Sequence, residues 1–216
     1  MGIIFGRTGS AEPAFTNLST FSANMTHSLP ISIRSVPSYM IAKVPMKEMA
    51  PKGNSAFQVL AKYIGVFGQP QNKEQTPMAM TAPVLNTEDE TYMSFLLPFE
   101  HQSVSDVPEP TDSRIQIEKV ESSVIAAVQF SGSYDKTVCQ KHFLDMQHFL
   151  KEKGLIEREG SVDKEMIVAQ YHPPFTLPFM RRNEVWLTLG NDQAKIEALL
   201  AASTGTSSTE AEHKDT

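Results

Sequence analysis

A single cysteine, Cys139, leaves the chain unable to build an internal disulfide, a CxxC zinc pair or a CxxCH haem attachment, and a reducing compartment is its natural setting. No apolar run approaches the roughly 18 residues that a membrane-crossing helix needs. Basic residues are outnumbered, 19 Lys and Arg against 25 Asp and Glu. The resulting formal charge of −6 argues against nucleic acid, whose binders present a basic face. Catalytic signatures are missing too: there is no Ser-His-Asp constellation, GxSxG elbow, HExxH pair or glycine-rich phosphate loop. Glu88 and Asp89 are paired carboxylates, but they fall in an acidic turn and read as solvated. The apolar start of MGIIFGRTGS is too short for a signal peptide, and Glu12 and the scarcity of Arg weaken a transit-peptide reading. Gly6 stands where myristoylation needs Ser or Thr. A cytoplasmic protein is expected.

What the chain does contain is a repeat. ISIRSVPSYMIAKVPM (31–46) aligns without a gap to IQIEKVESSVIAAVQF (115–130), and seven positions are identical, among them Ile31/Ile115, Val36/Val120 and Val44/Val128. Apolar residues alternate along both segments, as in half-buried strands with a bend near Pro37. A helix should follow each. The first covers 54–67, with Asn54 or Ser55 as N-cap and Gly68 as the stop, and the second covers 136–153, stopping at Gly154. MAMTAPVLN and TYMSFLLP then form a hairpin in the first half. EMIVAQYH and EVWLTLG, joined by PPFTLPFMRRN, are the strands of the second. The order β-α-β-β therefore occurs twice, about 30–98 and 114–190, in one α+β domain at 30–190 with a mostly antiparallel sheet. An N-terminal segment, 1–29, precedes it. A polar tail, 191–216, follows, in which QAKIEALLAAS is able to extend as a short helix.

The two helices differ. Cys139, Phe143, Met146 and Leu150 make an ordinary amphipathic stripe, whereas the first helix is apolar nearly all round, with only Gln58 and Lys62 clearly polar in its body. Loops, a second copy of the chain or a flat apolar ligand would each explain that second face.

VLAKYIGVFGQPQN (59–72), MAMTAPVLN (78–86) with FLLP behind it, and QYHPPFTLPFMRRNEVW (170–186) together closely resemble the SOUL haem-binding family, especially its cytosolic plant and algal type, which also tends to begin as MGIIFG does. The resemblance covers about residues 1–190. It implies a distorted β-barrel of two β-α-β-β units flanked by two main helices, and non-covalent binding of haem or a related tetrapyrrole in a shallow apolar site on the first helix. Carried over by position, it nominates Phe57, Leu60, Ala61 and Ile64 as packing surface, with Val84 on the neighbouring strand. Lys62 is then placed to pair with a propionate, with Arg181 and Arg182 as the next cations, for which a salt bridge to Glu184 or an exposed loop is the alternative. Some members carry an iron-ligating His after the Ile-Arg of the first strand, where this chain has Ser35. His172 is the one histidine in a motif loop, and so the candidate iron ligand. Met78 and Met80, with Met46 and Met49 nearby, are thioether alternatives whose ordinary job is packing. His142 and His148 read as surface residues, and His27, His101 and His213 fall in linkers or tails. The implied role is a carrier or buffer. The alternatives are an enzyme that degrades the bound tetrapyrrole and a porphyrin-gated interaction module.

Overall fold

The computed structural model describes residues 10–25, 27–46, 55–87, 91–156 and 165–205. Its strands are β1 (Thr16–Phe21), β2 (Ile31–Val36), β3 (Tyr39–Pro45), β4 (Val84–Thr87), β5 (Tyr92–Leu96), β6 (Gln116–Val120), β7 (Ser123–Phe130), β8 (Ile167–Gln170) and β9 (Asn183–Gly190). Helix α1 (Ala56–Ile64) lies between β3 and β4, α2 (Lys136–Glu152) between β7 and β8, and α3 (Gln193–Gly205) after β9. Each copy of the repeat thus breaks its first strand in two, at the bend expected near Pro37 and its equivalent. All nine strands join one antiparallel, curled sheet in the order β1-β2-β7-β9-β8-β4-β5-β3-β6. Set β1 aside and exchange the two copies, β2 for β6, β3 for β7, β4 for β8 and β5 for β9, and the same order reads backwards. The copies are therefore related by a two-fold axis between β4 and β8. Register agrees: Ile31 faces Val128, and its repeat-mate Ile115 would face Val44, which continues the ladder in which Tyr39 faces Val120.

Because side chains alternate along a strand, the sheet divides the apolar residues into three groups. Met40, Ala42, Val44 and Phe95 lie under α1. Ile31, Ile33, Val124, Ala126, Val128, Val185 and Leu187 lie under α2, whose Cys139, Phe143, Met146 and Leu150 stripe is buried as expected. The concave face encloses Tyr39, Ile41, Leu85, Leu96, Tyr171 and Trp186.

Three expectations need correction. Helix α1 stops at Gly65, not Gly68: Gly65 takes a left-handed φ of 90°, and a Cβ there would meet Pro70 Cγ at 2.8 Å. Its start is as expected, with Ser55 and Gln58 forming a reciprocal capping box. The N-terminal segment is not merely a lead-in, since β1 pairs with β2 and adds an edge strand. The fold also runs past residue 190, because Ile196 and Leu200 of α3 are buried in the core beneath α2. His27 does fall in a linker, between β1 and β2, but it is buried there. Its ring packs edge-on to Phe149 at 4.5 Å, and its Nδ1 lies 2.8 Å from the Leu29 carbonyl. Asn54, Met49, Glu88, Asp89, His213 and the MGIIFG start lie outside the described residues.

Burial has a consequence at high pH. It pushes the Tyr39 hydroxyl up to about 12 and the Cys139 thiol up to about 11, and it raises Tyr63 and Tyr171 as well, Tyr171 further because Glu184 is beside it. The folded state holds these protons more tightly than the unfolded chain. The stability they contribute is therefore complete below about pH 8 and is lost as pH rises through the folded values. Urea midpoints are expected to fall steadily from about pH 9 to about pH 11; a flat profile would contradict this account of the core.

Candidate functional site

The second apolar face of α1 is covered by the chain itself. Tyr63, fully buried, donates its hydroxyl to the Pro108 carbonyl at 2.6 Å. Val107, which like Pro108 belongs to the connector between the two copies (101–113), packs into the core around α1. Asn72 holds the loop after the helix by donating to the Tyr63 and Thr76 carbonyls, and Asn72 in turn bridges to Pro110. The connector between the two copies thus does for α1 what solvent does for α2.

This covering sorts the residues expected at a ligand site. Leu60 and Ala61 are wholly inaccessible, and Ile64 is nearly so; they are core. Phe57 and Val84 are half-buried and come together over Phe95: the Phe57 ring meets it edge-on at 5.3 Å, and Val84 is its neighbour on the adjacent strand. Met46, Met80 and Met93 are also half-buried against this core, while Met78 is buried in it. The result is a partly open apolar strip of Phe57, Val84 and flexible thioether side chains. Five residues after Phe57, about 7.5 Å along the helix axis and about 140° around it, comes Lys62, half-buried. Among the described residues its ammonium group has no hydrogen bond and no ion pair.

The other nominated residues are engaged elsewhere. Gln170 pairs with Val84, so the loop that starts at His172 leaves the sheet at the same end as the strip. His172 Nδ1 accepts the Arg182 backbone N–H at 3.0 Å, which places the proton of a neutral ring on Nε2. Iron ligation through Nε2 would require the opposite tautomer and would cost that hydrogen bond. Arg181 donates Nε to the Thr176 carbonyl at 2.8 Å and Nη2 to the Pro174 carbonyl. It thereby holds in shape a loop on which Phe175, Leu177 and Phe179 are exposed. No three His, Cys, Asp or Glu side chains gather to hold a metal ion among the described residues.

On the concave face, the pairing of Arg182 with Glu184 weighed from the sequence is one part of a larger network. Glu184, fully buried, accepts Arg34 Nη1 (2.9 Å), Trp186 Nε1 (2.7 Å) and Tyr171 OH (3.2 Å) on one oxygen. On the other it accepts Arg182 Nε (3.1 Å) and Nη2 (2.9 Å). Arg182 also stacks 3.6 Å from the Tyr171 ring centroid and reaches Glu12 at 2.8 Å. The signal was available in EVWLTLG, where strand alternation puts Glu184 on the same face as the only tryptophan.

A family model described as SOUL heme-binding protein matches residues 12–188. Heme-binding protein 1 of Xenopus laevis is 31% identical over 139 residues, covering 61% of this chain and 68% of that protein. Heme-binding protein 2 of Mus musculus is 28% identical over 148 residues, covering 64% and 69%. Among solved structures, the EcmrR C-terminal domain is similar at a TM-score of 0.47 and 11% identity, covering 73% of this chain and 95% of that one.

Proposed function

The chain belongs to the SOUL heme-binding protein family, and from that premise we propose that it takes haem, non-covalently and reversibly, on the strip beside α1 and serves as a cytoplasmic carrier or buffer. The observation that carries the siting is Lys62, an unpaired half-buried cation on the same short helix as Phe57. Phe57 and Val84 supply a face for the porphyrin, and Lys62 meets a propionate. With His172 Nδ1 committed to the backbone, affinity rests on burying the porphyrin rim, about 25 cal/mol per Å² before ordering costs. Such a site accepts porphyrins with or without iron and releases them readily, as a carrier must. No membrane-crossing helix is present among the described residues.

Haem and its dimethyl ester separate the cation from the apolar surface. Esterification should weaken binding to the unmodified protein by about tenfold, and by less than about twofold in Lys62→Ala. Equal ester penalties in the two proteins would remove Lys62 from the site.

A further inference from the structure

We propose that the concave face carries a second ligand site, separate from α1, for a small amphipathic carboxylate. A cavity of about 550 Å³ opens there across β1, β2 and β7, lined by Phe15, Pro30, Arg34, Gln129 and Arg182 together with small polar side chains. That volume is ordinary for a small-molecule pocket. The two arginines reach it from β2 and from the residue just before β9, and one buried carboxylate orients both of them.

Their donors are not equally spent. Arg182 gives three N–H groups to Glu184 and Glu12. Arg34 gives one, to Glu184, and among the described residues its other N–H groups have no hydrogen-bond partner. Glu184 does not compete for them, because its two oxygens already accept five hydrogen bonds from four side chains. Glu12 is drawn to the Arg182 side. The guanidinium of Arg34, only 16% exposed and set 5.5 Å over the Phe15 ring, is thus a fixed planar fork facing a cavity with an apolar wall. A carboxylate matches that fork in shape and charge, and an aromatic or alkyl body fits against Phe15 and Pro30.

The test is an amide-resolved NMR titration of the full chain with 2-naphthoate, using uncharged 2-naphthamide as control. Naphthoate should saturate with shifts at Ser32, Arg34, Ala127 and Gln129, and naphthamide should bind about tenfold more weakly. Arg34→Gln should bring naphthoate down to the level of the amide. Since that change also disturbs the Glu184 network, Gln129→Trp provides a second variant. Gln129 is exposed at the rim and outside the network, so the indole should block the cavity and abolish binding while the protein stays folded. Equal binding of naphthoate and naphthamide, shifts confined to α1, undiminished binding in Gln129→Trp, or competitive displacement of haem by naphthoate would each overturn the proposal.

Discussion

Glu184→Ala is expected to destabilise the protein by about 3–5 kcal/mol. The carboxylate is fully buried and is the common acceptor for two guanidiniums, a phenol and an indole. Its removal leaves Arg34 without a counter-charge and Arg182 with only the exposed Glu12, both arginines being mostly withdrawn from water, and strands the Trp186 and Tyr171 donors in the concave core. For a domain of this size the loss amounts to roughly 10 °C or more in Tm. Trp186 donates directly to Glu184 at 2.7 Å, so its fluorescence reports on this locus as well as on global unfolding. A loss below about 1 kcal/mol would mean that water or rearranged side chains replace the carboxylate at little cost.

Truncating Leu60 to alanine should be nearly as costly, about 2–5 kcal/mol, because the side chain is completely buried between α1 and the sheet. Haem affinity measured well below the unfolding transition should change little. Phe57→Glu should behave in the opposite way. It replaces a half-buried ring at the lip of the strip with a charge that repels propionates, so haem affinity should fall by about tenfold or more. Chemical denaturation and haem titration of the two variants make the comparison. A strong affinity loss in Leu60→Ala with intact Phe57→Glu binding would put the porphyrin beneath α1 rather than beside it.

These contrasts mark how far the sequence could be read. The duplication was visible because each copy repeats the same strand alternation, and the fold places the copies about a two-fold axis whose register follows the repeat. Edge strand β1 was not visible: TNLSTF is mostly polar and exposed, and only its pairing with β2 makes it a strand. Helix α3 looked like the beginning of a tail because its apolar residues acquire meaning only against the core beneath α2. The nearly uniform apolarity of α1 was correctly singled out, yet sequence could not say what covered it. Tyr63 and Pro108 lie 45 residues apart, and no local pattern joins them. Lys62 and Phe57 are half-buried, while Leu60, Ala61 and Ile64 are buried in the core. Of the Glu184 network only the pairing with nearby Arg182 could be weighed from the sequence, since Arg34 lies 150 residues from Glu184 and Tyr171 lies 13.

The most direct test of the tetrapyrrole site is a parallel titration of the purified protein with haem and with metal-free protoporphyrin, following absorbance and Trp186 quenching, repeated in His172→Ala. Binding by rim burial predicts affinities for the two porphyrins within about threefold of each other, unchanged by the substitution. A haem preference of roughly a hundredfold that disappears in His172→Ala, or failure of both porphyrins to bind below roughly tens of micromolar, would contradict it.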